Sequence, residues 1–419
     1  MAALLDVVAP PRLGRGFRWL LASSWASNLG DGIALAAGPL LVAQQTDDPL
    51  LVASAVLLQQ LPWLVFGLFA GALADRLDRR LVVVVVDLLR AAVLVVLALA
   101  VATDAVSIVV VLAALFLLGT AEVFADTASG TLLPMLIHRA DLGLANARLQ
   151  TGVLTLNQMA GPPVGAALFV AGAAAPFAAT AVLVGLGAVL VSRLVLPARP
   201  AALDGPRSTR ADIAEGCRWV RRSPAVRTLV LTIFIFNITY GAAWSVLVLY
   251  ARDRLGLGEI GFGLITTVLA VGGIVGTLSY GWITRHLSLG GIMRVGLVVE
   301  TVTHLVLAVT TTPAVAFATF LVFGAHAFVW SATSTAVRQR LVPLDLQGRV
   351  ASVNGLGSYG GMVAGAAVGG VLAQRYGVTA PFLFAFVGSA VFLVAVWGQL
   401  SHIAHADEAV LVAPERVGP

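Results

Sequence analysis

Long apolar runs separated by short polar intervals repeat along the whole of this 419-residue chain. Each reaches the roughly 20 residues a helix needs to cross a hydrocarbon core of about 30 Å. No ten-residue alternation marks a membrane barrel, and helices satisfy their own backbone in lipid, so the runs predict helices. The windows are 18–43, 50–73, 81–101, 106–136, 146–171, 175–196, 226–250, 259–283, 291–310, 313–337, 349–373 and 379–401. They predict an all-α polytopic membrane protein with twelve transmembrane helices. The first window is long, carries Asp31 and lacks a convincing cleavage site, which predicts a retained helix and not a removed leader.

The longest polar break divides the windows six and six. It gives a cytoplasmic N-terminal segment (1–17), a first six-helix bundle (18–196), a cytoplasmic linker (197–225), a second bundle (226–401) and a cytoplasmic tail (402–419). Within the linker, Ser208 or Thr209 can cap a short helix. It would carry Ile213, Cys217 and Val220 on one face and turn Arg218, Arg221 and Arg222 toward lipid phosphates or solvent.

The halves resemble one another. The second span ends Gly71-Ala72-Leu73-Ala74-Asp75-Arg76 and the eighth Gly281-Trp282-Ile283-Thr284-Arg285-His286, while Gly161 and Gly165 answer Gly365 and Gly369 at a constant offset of 204. Two pseudo-symmetric six-helix bundles are a common plan of secondary transporters, which bind substrate near mid-membrane between them.

Composition agrees, with 59% hydrophobic and only 11% charged residues. Every basic side chain is arginine, and nearly all fall on one side when the N-terminus is inside, which places both termini in the cytosol. The net charge of +5 therefore reports topology, and no nucleic-acid partner is expected. The arginine-only, alanine-rich composition points to a bacterial plasma (inner) membrane. A single cysteine, Cys217, forms no internal disulfide.

The candidate chemistry lies in acids within the spans, since a charge at mid-bilayer costs at least about 2.5 kcal/mol unless paired, neutralised or facing a cavity. Asp31 in the first span and Glu122 and Asp126, one turn apart in the fourth, are the proton-coupling candidates. Asp31 and Glu122 can alternatively join a static network with Asn28, Gln158 or Arg90. Arg79 is the expected partner of Asp126, and Asp87 and Arg90 are expected to pair with charges around residues 75–80.

Glu300 and His304 in the ninth span read as a local pair. The expected substrate lining is Asn28, Asp31, Asn157, Gln158, Asn237, Tyr240, Trp244, His326 and Trp330, which suits small amphipathic organic molecules. A chain without lysine has no Gly-x-x-x-x-Gly-Lys loop, and neither a metal motif nor a catalytic constellation is present. The expectation is a protein that is no enzyme and has no metal or other cofactor, with the proton gradient as its energy source.

Two motifs then carry a resemblance. Gly71-x-Leu73-Ala74-Asp75-Arg76-x-x-Arg79-Arg80 resembles the loop between the second and third helices of the major facilitator superfamily, departing at Asp78, where glycine is common. Gly152, followed after eight residues by Gly161-Pro162-Pro163-Val164-Gly165, resembles the antiporter motif of its proton-coupled drug exporters, with Ala166 in place of a final glycine. The departure at Asp78 resembles the branch of enterobactin-type exporters and related multidrug pumps.

The resemblance implies a monomeric exporter of amphipathic drugs or metabolites, working by proton antiport and alternating access. A siderophore-type exporter or an importer on the same fold is the alternative, and a membrane sensor or enzyme a more remote one. In the signature loop, Asp75 can accept hydrogen bonds from the start of the eleventh span near Gly348 to Ala351, where unpaired amides favour an anion, and so latch one transport state.

Overall fold

The computed structural model describes residues 10–74, 77–196, 209–343 and 346–399, and among them every regular element is helical. The helices are α1 (Gly14–Gln45), α2 (Pro49–Ala74), α3 (Arg79–Ala102), α4 (Ile108–Ser129), α5 (Leu142–Ala171), α6 (Ala175–Ser192), α7 (Thr209–Arg222), α8 (Pro224–Trp244), α9 (Glu259–His286), α10 (Leu289–Val309), α11 (Pro313–Leu341), α12 (Gln347–Tyr376) and α13 (Ala380–Val396). Apart from the linker helix α7, eleven of these are long and apolar enough to cross a membrane, and α13, at 17 residues, is a shorter apolar helix. The twelve-span architecture follows, and the protein is a multi-pass membrane protein.

The fourth span runs Ile108–Leu136, as the window predicts, but its helix is interrupted. α4 ends at Ser129, and a turn separates it from a four-residue helix, Leu133–Leu136. Pro134 supplies the reason, because it has no N–H to continue the ladder and belongs in the first turn of a new helix. The seventh window divides as well: α8 stops at Trp244, and a short helix Leu247–Leu249 leads into a π turn at Tyr250–Arg254.

The chain packs as two compact units, Met1–Gly205 with Leu247–Thr267, and Pro206–Val246 with Val268–Pro419. In the first, α1 packs on α5 and α6, α3 on α4 and α6, and α2 on α4. In the second, α8 packs on α12 and α13, and α10 on α11 and α13. The neighbours correspond, as a duplicated six-helix unit requires.

Glycine makes the closest of these approaches possible. A Cβ at Gly161 or Gly165 of α5 would collide with the α1 backbone at Gly32 or Ile33. On α12, Gly361, Gly365 and Gly369 lie equally close to the α8 backbone at Phe234, Ile238 and Ala242. Small residues let helix backbones touch where lipid supplies no hydrophobic drive for association.

Large apolar side chains face outward on both units, among them Val96, Leu99, Leu278 and Val394, each more than half exposed. Such a surface suits hydrocarbon and not water.

The linker helix α7 forms as expected, although Ser208 lies outside the described residues. Val220 is buried in a small cluster with Val226, Val342 and Val350. Gly216 lies against the backbone of Arg349, whose guanidinium pairs with Glu215 at 3.2 Å, while Cys217 is exposed.

Candidate functional site

The first unit holds a partly open cavity of about 220 Å³, lined among others by Asp31, Gln59, Trp63, Arg90, Glu122 and Asn157. Five helices contribute these six side chains. Arg90 is the centre of its electrostatics, with a side chain only 7% exposed. Its Nη2 donates to Asp31 Oδ1 across from α1, and its Nη1 donates to Asp87 Oδ1 one turn earlier on α3, at 3.2 Å.

The sequence expectation for Asp87 and Arg90 is thereby corrected. Arg90 lies eleven residues from Arg79, about 16 Å along the helix, and turns inward to Asp31 instead of toward the 75–80 loop. The long aliphatic stem buries easily while the guanidinium meets two carboxylates, which is the condition for burying a charge at all.

Among the described residues Glu122 forms no ion pair, although it lines the same cavity as the Asp31–Arg90 pair. Asp126, one turn further along α4, is exposed and is not part of that lining. Arg79, its expected partner, donates to Met135 Sδ at 3.4 Å.

Asn157 lines the cavity and Gln158 does not. Asn28 turns back on its own helix, donating to Ser24 O at 2.8 Å. Gln59, Gln60 and Trp63 of α2 also line the cavity and were missed. The sequence carried a signal for them, since a Gln-Gln pair inside an apolar span is as conspicuous as an acid.

α5 is built unusually beside this cavity. Residues Val153–Ala160 form a π-helix, and the Gly161 amide donates to Leu156 O, five residues back. Pro162 and Pro163 remove two successive donors, so carbonyls in the preceding turn need other partners. Met159 O finds one in the Thr267 hydroxyl of α9, at 2.8 Å.

The antiporter-motif positions all act in packing. Gly152 lies against the Trp25 indole, Gly161 against Gly32, Gly165 against Ile33, and the Pro162 carbonyl against Gly263. Ala166, where the motif has glycine, is fully buried, and Gly263 opposite leaves room for its methyl. π segments recur at functional sites, and this one holds Asn157 at the cavity.

In the signature loop, Asp75 and Arg76 lie outside the described residues. Gly71 meets open space. Arg80 donates to Leu194 O at 2.9 Å. Asp78, the departure from the family pattern, is the N-cap of α3 and accepts from the amides of Arg80 and Leu81 at 2.9 and 3.2 Å. A carboxylate here satisfies two of the orphan donors at the helix start, which glycine cannot do.

The second unit assembles the other expected residues into an aromatic ladder. Tyr240 stacks on Phe236 at 5.6 Å, on Trp244 at 5.2 Å and on Phe323 at 5.9 Å between ring centroids. Phe323 meets His326 edge-on at 6.0 Å, and His326 meets Trp330 at 5.9 Å. Phe236 and Phe323 were missed because a phenylalanine in an apolar span carries no signal of its own. Asn237 donates within α8 to Ile233 O at 2.7 Å.

Twelve membrane helices in two matching units, one with a cavity lined by charged side chains, define a transporter of the major facilitator superfamily. Within it, the chain belongs to the transmembrane secretion effector family, whose sequence profile matches residues 8–417. It is 31% identical over 379 residues to the multidrug efflux pump Tap of Mycolicibacterium fortuitum, covering 87% of this chain and 90% of that protein. Its fold is similar to that of a bacterial homologue of the iron transporter ferroportin in an inward-facing state, with TM-score 0.75 and 18% identity over 92% of this chain and 99% of that one. It is likewise similar to the nucleoside transporter NupG, with TM-score 0.73 and 13% identity over 92% and 99% of the two chains.

Proposed function

We propose that the chain exports small amphipathic organic molecules by proton antiport, through alternating access, across a bacterial plasma membrane with both termini in the cytosol. The observation that carries this reading is the 31% identity to a multidrug efflux pump over nearly the full length of both chains. The cavity supports it, because intramembrane carboxylates mark ion and proton pathways. Asp31, Glu122 and Asp126 are the proposed proton carriers. Glu122 is foremost, since it stands on the cavity wall outside any ion pair among the described residues, whereas Asp31 is paired with Arg90. The aromatic ladder supplies flat apolar faces on which ring-containing cargo can stack.

The test is dye efflux from loaded cells at matched expression, for the wild type, Asp31→Asn and Glu122→Gln, with and without a protonophore. Efflux should collapse with the gradient and in Glu122→Gln, and fall strongly in Asp31→Asn. Efflux indifferent to the protonophore would remove the antiport step. No efflux above empty cells for several chemically distinct dyes would remove the broad-cargo reading.

A further inference from the structure

Glu300 and His304 lie one turn apart on α10, 3% and 2% exposed, and the coupling chemistry proposed above uses neither. Glu300 Oε1 accepts from Ser389 Oγ of α13 at 3.0 Å and from Thr239 Oγ1 of α8 at 3.2 Å. His304 Nε2 stands 4.0 Å from the same oxygen, and among the described residues neither ring nitrogen has a hydrogen-bond partner. A buried imidazole with both nitrogens idle is uncommon, because buried polar groups are nearly always satisfied.

The surroundings offer Glu300 no fixed counter-charge. α8 brings Tyr240 and, near its start, Arg227. α11 brings His326, with Arg338 and Arg340 in its last turn. α13 has no titratable side chain. Arg294 of α10 is engaged elsewhere, 5.3 Å from the Trp397 ring and donating to Trp397 O at 3.3 Å. Among the described residues His304 is the one side chain within reach of Glu300 that could take up a positive charge.

We propose that Glu300 and His304 together form a second proton-binding site, whose proton exchanges in the course of conformational change. With one proton the pair is neutral overall, as acid and imidazole or as carboxylate and imidazolium. Transfer between them breaks the carboxyl O–H bond and forms an N–H bond at Nε2, once a rotamer change closes the gap.

An exchangeable site must satisfy both protonation states, and hydroxyls do so because each can donate to a carboxylate or accept from an acid. The shortest contact of the Thr239 hydroxyl is in fact to Phe236 O, at 2.9 Å, which leaves its oxygen free to accept from a protonated Glu300.

The site also touches the aromatic ladder. Thr239 precedes Tyr240 on α8, and the His304 ring lies 6.5 Å from that of Phe323, which stacks on Tyr240. Displacing that stack would disturb both the hydroxyl and the imidazole.

The experiment is infrared spectroscopy of the purified full chain in lipid nanodiscs, following the carbonyl stretch of protonated carboxyl groups across about pH 5 to 9. The expected result is a titrating band that Glu300→Gln removes and whose midpoint moves by at least about one pH unit in His304→Gln and Ser389→Ala. A wild-type band assignable to Glu300 that stays constant across that range overturns the proposal. Spectra of Glu300→Gln that superpose on the wild type do the same. If Glu300→Gln fails to fold, the other two variants decide, and unmoved midpoints in both reject the site. No substrate enters this titration, so its failure is distinct from failure of the export reading.

Discussion

Arg90 Nη2 donates to Asp31 Oδ1, and this bond ties α3 to α1 inside the first unit. With Asp87 on its other nitrogen, the guanidinium serves two carboxylates at once. Removing it leaves both uncompensated, whereas neutralising Asp31 leaves Arg90 still paired. Arg90→Ala should therefore destabilise by about 3–5 kcal/mol, the range for breaking a buried ion pair, and Asp31→Asn by distinctly less. Unfolding of the purified variants in detergent measures this, and equal losses would show that the pair does not carry the charge balance.

Asp78 gives a smaller and more local prediction. Its carboxylate caps α3 through the Arg80 and Leu81 amides. Asp78→Ala should cost about 1 kcal/mol and Asp78→Gly, the residue common in the family pattern, only a few tenths. Hydrogen exchange at those two amides is the sensitive readout. Protection unchanged in Asp78→Ala would show that the helix start is held by something else.

These two arginine and aspartate contacts also mark how far the sequence could be read. The length of the apolar runs located the eleven long spans and the shorter apolar helix α13, because a membrane helix must present about 20 apolar residues whatever it packs against. Asp31 and Glu122 were legible for a related reason: an acid in such a run is costly and stands out. The partner of Asp31 was less legible. Arg90 was one of three candidates, and its position near the start of a span made a surface role equally natural until the fold brought α1 beside α3. The π segment of α5 was hidden because Val153–Ala160 has ordinary helical composition, and only the following Pro162-Pro163 hinted at a disturbed ladder. Phe236 and Phe323 were indistinguishable from packing residues, since stacking depends on where neighbouring helices place their faces.

Matched glycines on the two units allow a controlled steric test. A methyl at Gly165 or Gly365 would run into the carbonyl oxygen of Ile33 or Ile238, and backbone cannot give way as a side chain can. Gly165→Ala and Gly365→Ala should each cost about 1–3 kcal/mol, the usual range for overpacking. At Gly71 and Gly281, by contrast, an added Cβ meets nothing within 4 Å. Alanine there should be neutral or stabilise by up to about 1 kcal/mol through helix propensity. Melting temperatures of the four variants settle the comparison, and a uniform effect at all four would mean that close approach is not what the motif glycines provide.

Arg252 shows the opposite regime to Arg90. It donates to Asp47 at 2.9 Å and to Asp253 at 2.6 Å, but its side chain is 43% exposed and that of Asp47 85%. The hydrogen bond to Asp253, followed by that to Asp47, outweighs partial burial and raises the arginine pKa above its ordinary value. A raised pKa on a cation means the favourable contribution is fully present at every pH below the unfolded value, so Arg252 itself adds no slope to stability between about pH 6 and 8. Solvent and salt screen the pair, and its worth should lie within about 0.2–1 kcal/mol. Arg252→Ala should therefore lower the melting temperature slightly at low ionic strength and not measurably at about 1 M salt, where the Debye length falls to about 3 Å. A loss as large as that of Arg90→Ala, or one that salt leaves untouched, would show that the Arg252 contacts are shielded from solvent and hold the start of the Leu247–Thr267 segment far more firmly than an exposed pair can.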